Sequence, residues 1–166
     1  GELTDLALRA EPFFAVLDPD DPTFLAPRDM PAAVISYCQR TRQRVPDSHG
    51  QVVRIILESL ALRYRWTLER LARLQNVRMD ALHVVGGGSR NELLCQLTAD
   101  ALGLPVISGP VEATAIGNAV LQAVSVGDLG SLEEARSLVA AACDVVVYDP
   151  GDRSGWDEAY ERFAAL

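Results

Sequence analysis

The sequence predicts a helix-rich α/β protein, and three observations carry that prediction. Two apolar runs, residues 81–85 and 104–107, have the length of short buried strands. The glycine triplet Gly86–Gly88 follows the first run and precedes a helical pattern, which is the order of elements in α/β proteins. Helical patterns fill most of the remaining chain, so very few strands accompany many helices. We therefore expect sheet strands to be missing and the chain to be part of a longer protein, an expectation that Gly1 in place of an initiator methionine also favours.

The first part of the chain predicts two helices joined by a long loop. A short helix is expected over Leu3–Ala10, followed by a structured loop over residues 12–31. Proline punctuates this loop, and each proline lacks an N–H group and restricts the residue before it, so a helix cannot continue there. Pro31 then suits the first turn of a helix that we expect to reach about Gln43, capped by Asp29 or Met30.

The strongest helical signal covers Ser48–Leu74, whose broad apolar face calls for a large partner surface. Further helices are expected over Asn91–Leu102, Ala113–Val126 and Leu132–Ala142, and a last amphipathic helix carries Trp156, Tyr160 and Phe163. Residues 143–148 are a candidate third strand. No internal repeat interrupts this order.

Composition narrows the functional classes. The formal net charge of −8 argues against binding to nucleic acid or to an anionic membrane surface, because both need clustered Lys and Arg. No apolar run approaches the roughly 18 residues of a membrane helix. Cys38, Cys95 and Cys143 are widely spaced and do not form a zinc motif, so reduced thiols in a cytoplasmic protein are the expected state.

The segment from Val85 to Asn91 is the candidate ligand site. Its three glycines remove every Cβ from a turn between strand and helix, so a flat or anionic ligand could approach the backbone. The positive end of the following helix also favours phosphate or a polar ring edge. An alternative is that glycine is needed only for a positive φ, with Ser89 as the N-cap.

Two common nucleotide motifs do not fit this segment. A Walker A loop is excluded because no Gly-Lys-Ser/Thr follows the glycines. A dinucleotide fingerprint needs a small residue where Asn91 stands and an acidic residue about 20 positions later. Asp100 is too near and Glu112 too far, so that interpretation is only a minor alternative.

A resemblance carries more information than the spacing. The stretch from His83 to Leu94 resembles the adenosine motif of the FGGY carbohydrate kinases, which belong to the actin-like ATPase superfamily. Within that family the chain resembles the rhamnulokinase branch through four blocks that follow the family's order along the chain: LDPDDP at 17–22, ILESLALRY at 56–64, HVVGGGSRNELL with QLTAD between 83 and 100, and GPVEATAIGNA at 109–119. The similarity weakens only after about Val126.

The resemblance implies a fold, a cofactor and site residues. The fold would be part of an actin-like, ribonuclease H-like domain: residues 1–166 would form a partial C-terminal kinase domain, with 127–166 as an extension of it. Gly86, Gly87, Gly88 and Asn91 would border the adenine and ribose of ATP, whereas Ser89 and Arg90 stand at variable positions of the motif. Gly117 would lie in a helix near the hinge between domains, or would simply allow close helix packing.

The parts needed for chemistry are not recognisable in this chain. The resemblance places the catalytic base, the phosphate loops and the Mg²⁺ ligands in missing segments, above all an N-terminal kinase domain, so we expect no catalytic residue and no metal ligand here. Glu112 is interpreted as a structural carboxylate at a helix N-terminus. The acidic cluster Asp18, Asp20 and Asp21 is interpreted as a turn, because prolines interrupt it.

These expectations lead to a functional hypothesis and its rivals. The parent reaction would transfer the γ-phosphoryl group of MgATP to a ketose, with L-rhamnulose favoured, and the isolated chain would be inactive. The alternatives are another FGGY sugar or polyol kinase and a non-catalytic actin-like nucleotide-binding module. We also expect the chain alone to self-associate, through a bare strand edge and through a poorly covered Ser48–Leu74 helix.

Overall fold

The computed structural model describes residues 1–166 and confirms a helix-rich α/β architecture. The helices and strands are α1 (Glu2–Arg9), α2 (Met30–Arg40), α3 (His49–Gln75), β1 (Leu82–Val84), α4 (Glu92–Leu102), β2 (Val106–Ser108), α5 (Ala113–Val126), α6 (Leu132–Ala142), β3 (Val146–Tyr148) and α7 (Trp156–Ala164). Short 3₁₀ turns occupy Pro22–Phe24 and Gly87–Arg90. No helix has both the length and the apolarity needed to span a membrane.

Helix α3 is the centre of the molecule. The Ser48 hydroxyl caps its first turn by accepting from Gln51 N at 3.3 Å, and Asn76 ends it in the left-handed conformation at φ 49°. Helices α1, α4 and α7 cover α3. The main core therefore joins residues of these helices, including Leu57, Leu62, Leu97, Trp156 and Phe163. The expectation that α3 lacks cover is wrong for most of its length, and only its end, at Leu74, is strongly exposed.

The segment between α1 and α2 is held by side chains of α3. Residues 14–17 are buried. Glu58 accepts a hydrogen bond from Phe13 N at 2.8 Å, and the Ser59 hydroxyl accepts one from Leu17 N at 2.9 Å. These bonds satisfy backbone donors that a strand partner would otherwise have to satisfy.

Helix α2 is shorter than predicted. Asp29 caps it, as expected, by accepting from Ala32 N at 2.9 Å, but the helix ends at Arg40 instead of Gln43. Arg42 adopts φ 57°, which breaks the helical path. The Gln43 side chain instead binds the backbone N and O of Val16, at 2.8 and 2.7 Å, so a tertiary contact replaces the last helical turn.

The sheet has the order β1-β2-β3, with β1 and β2 parallel and β2 and β3 antiparallel. One face packs on α4, where Val106 meets Cys95 and Ala99. The opposite face is open: His83 is exposed, so the prediction that β1 is a buried strand is wrong. The reason is the lack of cover, because α5 does not close over that face and contains no buried residue.

Candidate functional site

The glycine turn begins where β1 ends and is tied to the segment after β2. Val84 O accepts from Gly109 N at 2.8 Å, and Gly86 N donates to Pro110 O at 3.1 Å. Gly86 adopts φ 80° and ψ −162°, a conformation that is nearly restricted to glycine. Of the three glycines, only Gly86 is required by its own backbone.

The residues after the glycines divide two tasks between them. The buried Ser89 donates its hydroxyl to Gly86 O at 2.7 Å and so stabilises the turn. Asn91 caps α4, since its Oδ1 accepts from Leu94 N at 3.1 Å. The alternative that Ser89 is the N-cap is therefore wrong. With Oδ1 occupied, the Nδ2 amide is the part of Asn91 that remains available to a ligand.

The outer surface of the turn is free of protein atoms. A Cβ added at Gly86 or Gly87 would meet nothing within 4 Å, and one at Gly88 would meet only Val84 Cγ1 at 3.9 Å. Neither neighbouring side chains nor a positive φ therefore demands glycine at Gly87 or Gly88. Glycine at these two positions keeps the surface open, as a ligand lying against the backbone would need.

A polar cavity of about 430 Å³ lies against this surface and is lined by Gly1, Thr4, Gly87, Arg90, Asn91 and Glu92. Its volume falls within the roughly 300–1,000 Å³ usual for small-molecule sites. The two charged side chains that line it, Arg90 and Glu92, have opposite signs, so these side chains suit a polar, largely neutral group such as a nucleoside better than a polyphosphate. Sequence reasoning missed Thr4, because nothing in the sequence signals that α1 lies beside a turn more than 80 positions away.

A larger cavity of about 650 Å³ lies between the open face of the sheet and helices α5 and α6; we call it the sheet groove. Its lining is mainly apolar, and Val85, Ile107, Ile116, Val120 and Val139 are typical members. Such a surface lacks the converging polar groups that orient a nucleotide. Chemistry thus favours the smaller cavity at the glycine turn as the ligand site.

Among the carboxylates considered in the sequence, Asp18 and Asp21 stabilise turns, whereas Glu112 makes no capping hydrogen bond. Asp18 accepts from Asp20 N at 3.0 Å, and Asp21 accepts from Thr23 N at 2.9 Å, which is the geometry of a turn. The Thr23 and Arg40 hydrogen bonds lower the pKa of Asp21 to about 2. Glu112 occupies the N-cap position of α5, is exposed, and caps no backbone N–H with its side chain.

Cys95 lies directly under the turn, with its Sγ 4.0 Å from both Gly88 O and Ser89 O. Burial raises the pKa of the Cys38 and Cys95 thiols, which makes both poor nucleophiles at neutral pH. Cys143 is partly exposed, and all three cysteines are free thiols.

Gly117 has no helix packed against it, since a Cβ there would meet nothing within 4 Å. Close helix packing within this chain therefore does not explain this glycine. It faces the sheet groove instead.

The chain belongs to the FGGY family of carbohydrate kinases: the profile of that family's C-terminal domain matches residues 1–126. The solved structures it resembles agree in fold. It matches xylulose kinase from Rhodospirillum rubrum with a TM-score of 0.67 and 21% identity, over 99% of this chain and 33% of that one. It matches Plasmodium falciparum glycerol kinase with ADP with a TM-score of 0.69 and 20% identity, over 99% of this chain and 32% of that one.

Among curated relatives, the chain is similar to rhamnulokinases. It is 48% identical over 162 residues to the rhamnulokinase of Bacteroides thetaiotaomicron, covering 98% of this chain and 33% of that protein. It is 41% identical over 150 residues to the rhamnulokinase of Enterococcus faecalis, covering 89% of this chain and 30% of that protein. The chain therefore spans about a third of the length of the curated relatives that it matches.

Proposed function

We propose that this chain forms the adenosine-binding side of the ATP cleft of a sugar kinase. The observation that carries the proposal is the open glycine turn, where Gly87 and Gly88 have neither a steric nor a conformational reason to be glycine within this chain. Close approach of a nucleoside to the backbone supplies that reason. Family membership supports the same assignment.

In this proposal each residue of the turn has a separate task. Gly86 shapes the turn through its positive φ, and Gly87 and Gly88 offer bare backbone to the adenine and ribose. The Nδ2 amide of Asn91 donates a hydrogen bond to the nucleoside while Oδ1 holds the first turn of α4. The buried Ser89 stabilises the turn and does not contact the base.

The parent enzyme transfers the γ-phosphoryl group of MgATP to a ketose hydroxyl, and L-rhamnulose is the proposed acceptor because of the similarity to rhamnulokinases. Such a reaction depends on positioning and on charge stabilisation, and domain closure excludes water. No group of three or more His, Cys, Asp or Glu side chains in this chain is arranged to hold a metal ion. We assign the ligands of Mg²⁺ and the catalytic base to other segments of the cytoplasmic enzyme, as the family resemblance implies.

Steady-state assays of the intact kinase test this proposal. The kcat/KM for L-rhamnulose should exceed that for D-xylulose, L-fuculose and glycerol by at least about 100-fold, since pockets that bind sugar hydroxyls reject mismatched substrates strongly. Preference for another sugar would contradict the acceptor but keep the kinase class. ATP binding without phosphorylation of any sugar or polyol would favour the non-catalytic module.

A second assay tests whether this chain has kinase activity without the rest of the enzyme. The 166-residue chain alone, with MgATP and L-rhamnulose, should form no sugar phosphate above a control without protein, because it holds no proposed catalytic base. Turnover that survives further purification would contradict this assignment.

A further inference from the structure

Helix α5 has the composition of a buried helix but lacks cover. Its sequence, ATAIGNAVLQAVSV, contains no charged residue, yet none of its residues is buried. A helix that is mainly apolar all round is normally enclosed by other elements. Helix α6 is its main neighbour, and in α6 only Ala135 is buried.

The sheet shows the same imbalance on the side of the groove. Val85 and Val145 line the groove and are 53% and 46% exposed. The opposite face of the sheet packs on α4. Sheets with parallel strands are generally covered on both faces, and the face towards the groove lacks such a covering layer.

The size and the apolar lining of the groove suit a segment of protein. The groove measures about 650 Å³, and if nothing covered it a large apolar surface would face solvent. An apolar space of that size has too few polar partners to order water. Apolar side chains from another segment would fill it and cover the open face together.

One charge within the groove defines the chemistry of the occupant. Arg136 lines the groove and takes part in none of the ion pairs of the chain. Covering an unpaired guanidinium is costly, and a carboxylate is its best partner because it accepts two parallel hydrogen bonds. An apolar segment with one acidic side chain would match this lining.

The lengths of the relatives identify the source of this occupant. Rhamnulokinases of which this chain covers only about a third carry two further thirds of polypeptide. A second copy of this chain is less suitable, because each copy carries a formal net charge of −8 and would present the same bare helix α5. We propose that the sheet groove is the surface on which the remaining two-thirds of the kinase polypeptide docks, with a carboxylate placed on Arg136. The inference rests on the apolar surface and on length, independently of nucleotide binding.

Cys143 offers a direct probe, because its thiol lines the groove and is partly exposed. Maleimide labelling followed by peptide mass spectrometry should modify Cys143 at least about tenfold more slowly in the intact kinase than in the 166-residue chain. The buried Cys38 and Cys95 report any unfolding in the same sample. Equal rates for Cys143 would overturn the proposal. Protection in the 166-residue chain that increases with its concentration would assign the groove to a second copy and overturn it too.

A matched pair of leucines tests the surface itself. Leu121 lines the groove and is 54% exposed, whereas Leu138 lies outside it and is 51% exposed. In the intact kinase, Leu121→Asp should restore fast labelling of Cys143, and Leu138→Asp should not. If Leu121→Asp also exposes Cys95, the milder Leu121→Ser replaces it. Equal effects of the two positions, or none at Leu121, would contradict the docking surface.

Arg136 provides the test of charge. Arg136→Glu should speed Cys143 labelling in the intact kinase, and Arg136→Lys should leave it near the wild-type rate, because only the first reverses the charge facing the proposed carboxylate. If Cys143 is labelled at the wild-type rate in both variants, no carboxylate faces Arg136, and the proposed charge contact is wrong.

Discussion

Two regions of this chain were both predicted to be helical, but they differ in how deeply their helices are buried. The helical body, formed by α1, α3, α4 and α7, shares one core that includes Leu62, Leu97 and Phe163. The outer layer, formed by α5 and α6, has Ala135 as its single buried residue. Local sequence therefore determines where a helix forms, whereas its burial depends on neighbours that can lie outside the sequence at hand.

The largest effect should come from the buried carboxylate of the body. Glu58 is fully buried, accepts from Phe13 N, and pairs with Arg54 at 2.8 Å. Glu58→Leu removes the acceptor of Phe13 N and the ion-pair partner of Arg54, and it should lower the free energy of unfolding by about 3–5 kcal/mol. Urea unfolding measures it, and Glu133→Leu in the exposed first turn of α6, where the carboxylate has no hydrogen bond or ion pair, is the control, with a change below about 1 kcal/mol. Similar losses of unfolding free energy for the two variants would contradict the difference in burial between the helical body and the outer layer.

Leucine truncation compares the regions with identical chemistry. Leu62 is fully buried in α3, and Leu121 is 54% exposed in α5. In the 166-residue chain, Leu62→Ala should cost about 2–5 kcal/mol and Leu121→Ala less than about 0.5 kcal/mol. Chemical denaturation gives both values. A cost above about 2 kcal/mol for Leu121→Ala would mean that the chain already covers α5 in solution.

Helix caps test whether the two regions unfold together. Ser48 caps α3 and Ser131 caps α6, where it accepts from Glu134 N at 3.1 Å. Loss of either cap by Ser→Ala should cost about 1 kcal/mol. For Ser48→Ala this loss should appear in global unfolding, whereas for Ser131→Ala hydrogen exchange should register it only in α6, because a poorly packed helix can open locally. A global loss for both variants would show one cooperative unit.

A change of pH should affect the stability contributions of the buried Glu58 and the partly exposed Asp21 in opposite directions. Burial raises the pKa of Glu58, although Arg54 opposes the shift, so its contribution to stability is present at low pH and is lost as pH rises through the folded-state pKa. Asp21, with a pKa of about 2, contributes stability above its unfolded pKa near 3.9 and loses it as pH falls towards 2. Unfolding curves of Glu58→Gln and Asp21→Asn across that range should therefore deviate from the wild type with opposite slopes. Slopes of the same sign would contradict one of the two shifts.

The comparison also explains how far sequence reasoning reached. Prolines, capping residues and glycines after helices predicted most helix boundaries. Helix α5 begins and ends as predicted, and Gly127 follows it in the left-handed conformation. The end of α2 could not be predicted, because the Gln43 side chain binds Val16 across 27 positions. The cover of α3 was misjudged for the same reason, since apolar periodicity shows that a helix needs a partner but does not identify it.

The candidate site was partly predictable as well. The motif predicts the glycines and Asn91 as site residues, which stays a prediction, and the turn follows a strand as expected. That Asn91, and not Ser89, caps α4 was not predicted, because a 3₁₀ turn of four residues delays the helix to Glu92. Thr4 and Arg90 joined the cavity through tertiary packing and local geometry, which the spacing of the motif does not encode.

Adding a branched side chain at Gly87 tests whether the glycine turn binds the nucleotide. Gly87 has no positive φ and open space around it, so Gly87→Val should fold normally in the intact kinase. Gly151→Ala, outside the turn and also without a positive φ, is the control. The decisive measurement is the pair of KM values for ATP and for the sugar. A rise of at least about tenfold in the KM for ATP, with the KM for the sugar and the unfolding midpoint unchanged, is the predicted result. An unchanged KM for ATP in a normally folded Gly87→Val enzyme would contradict it.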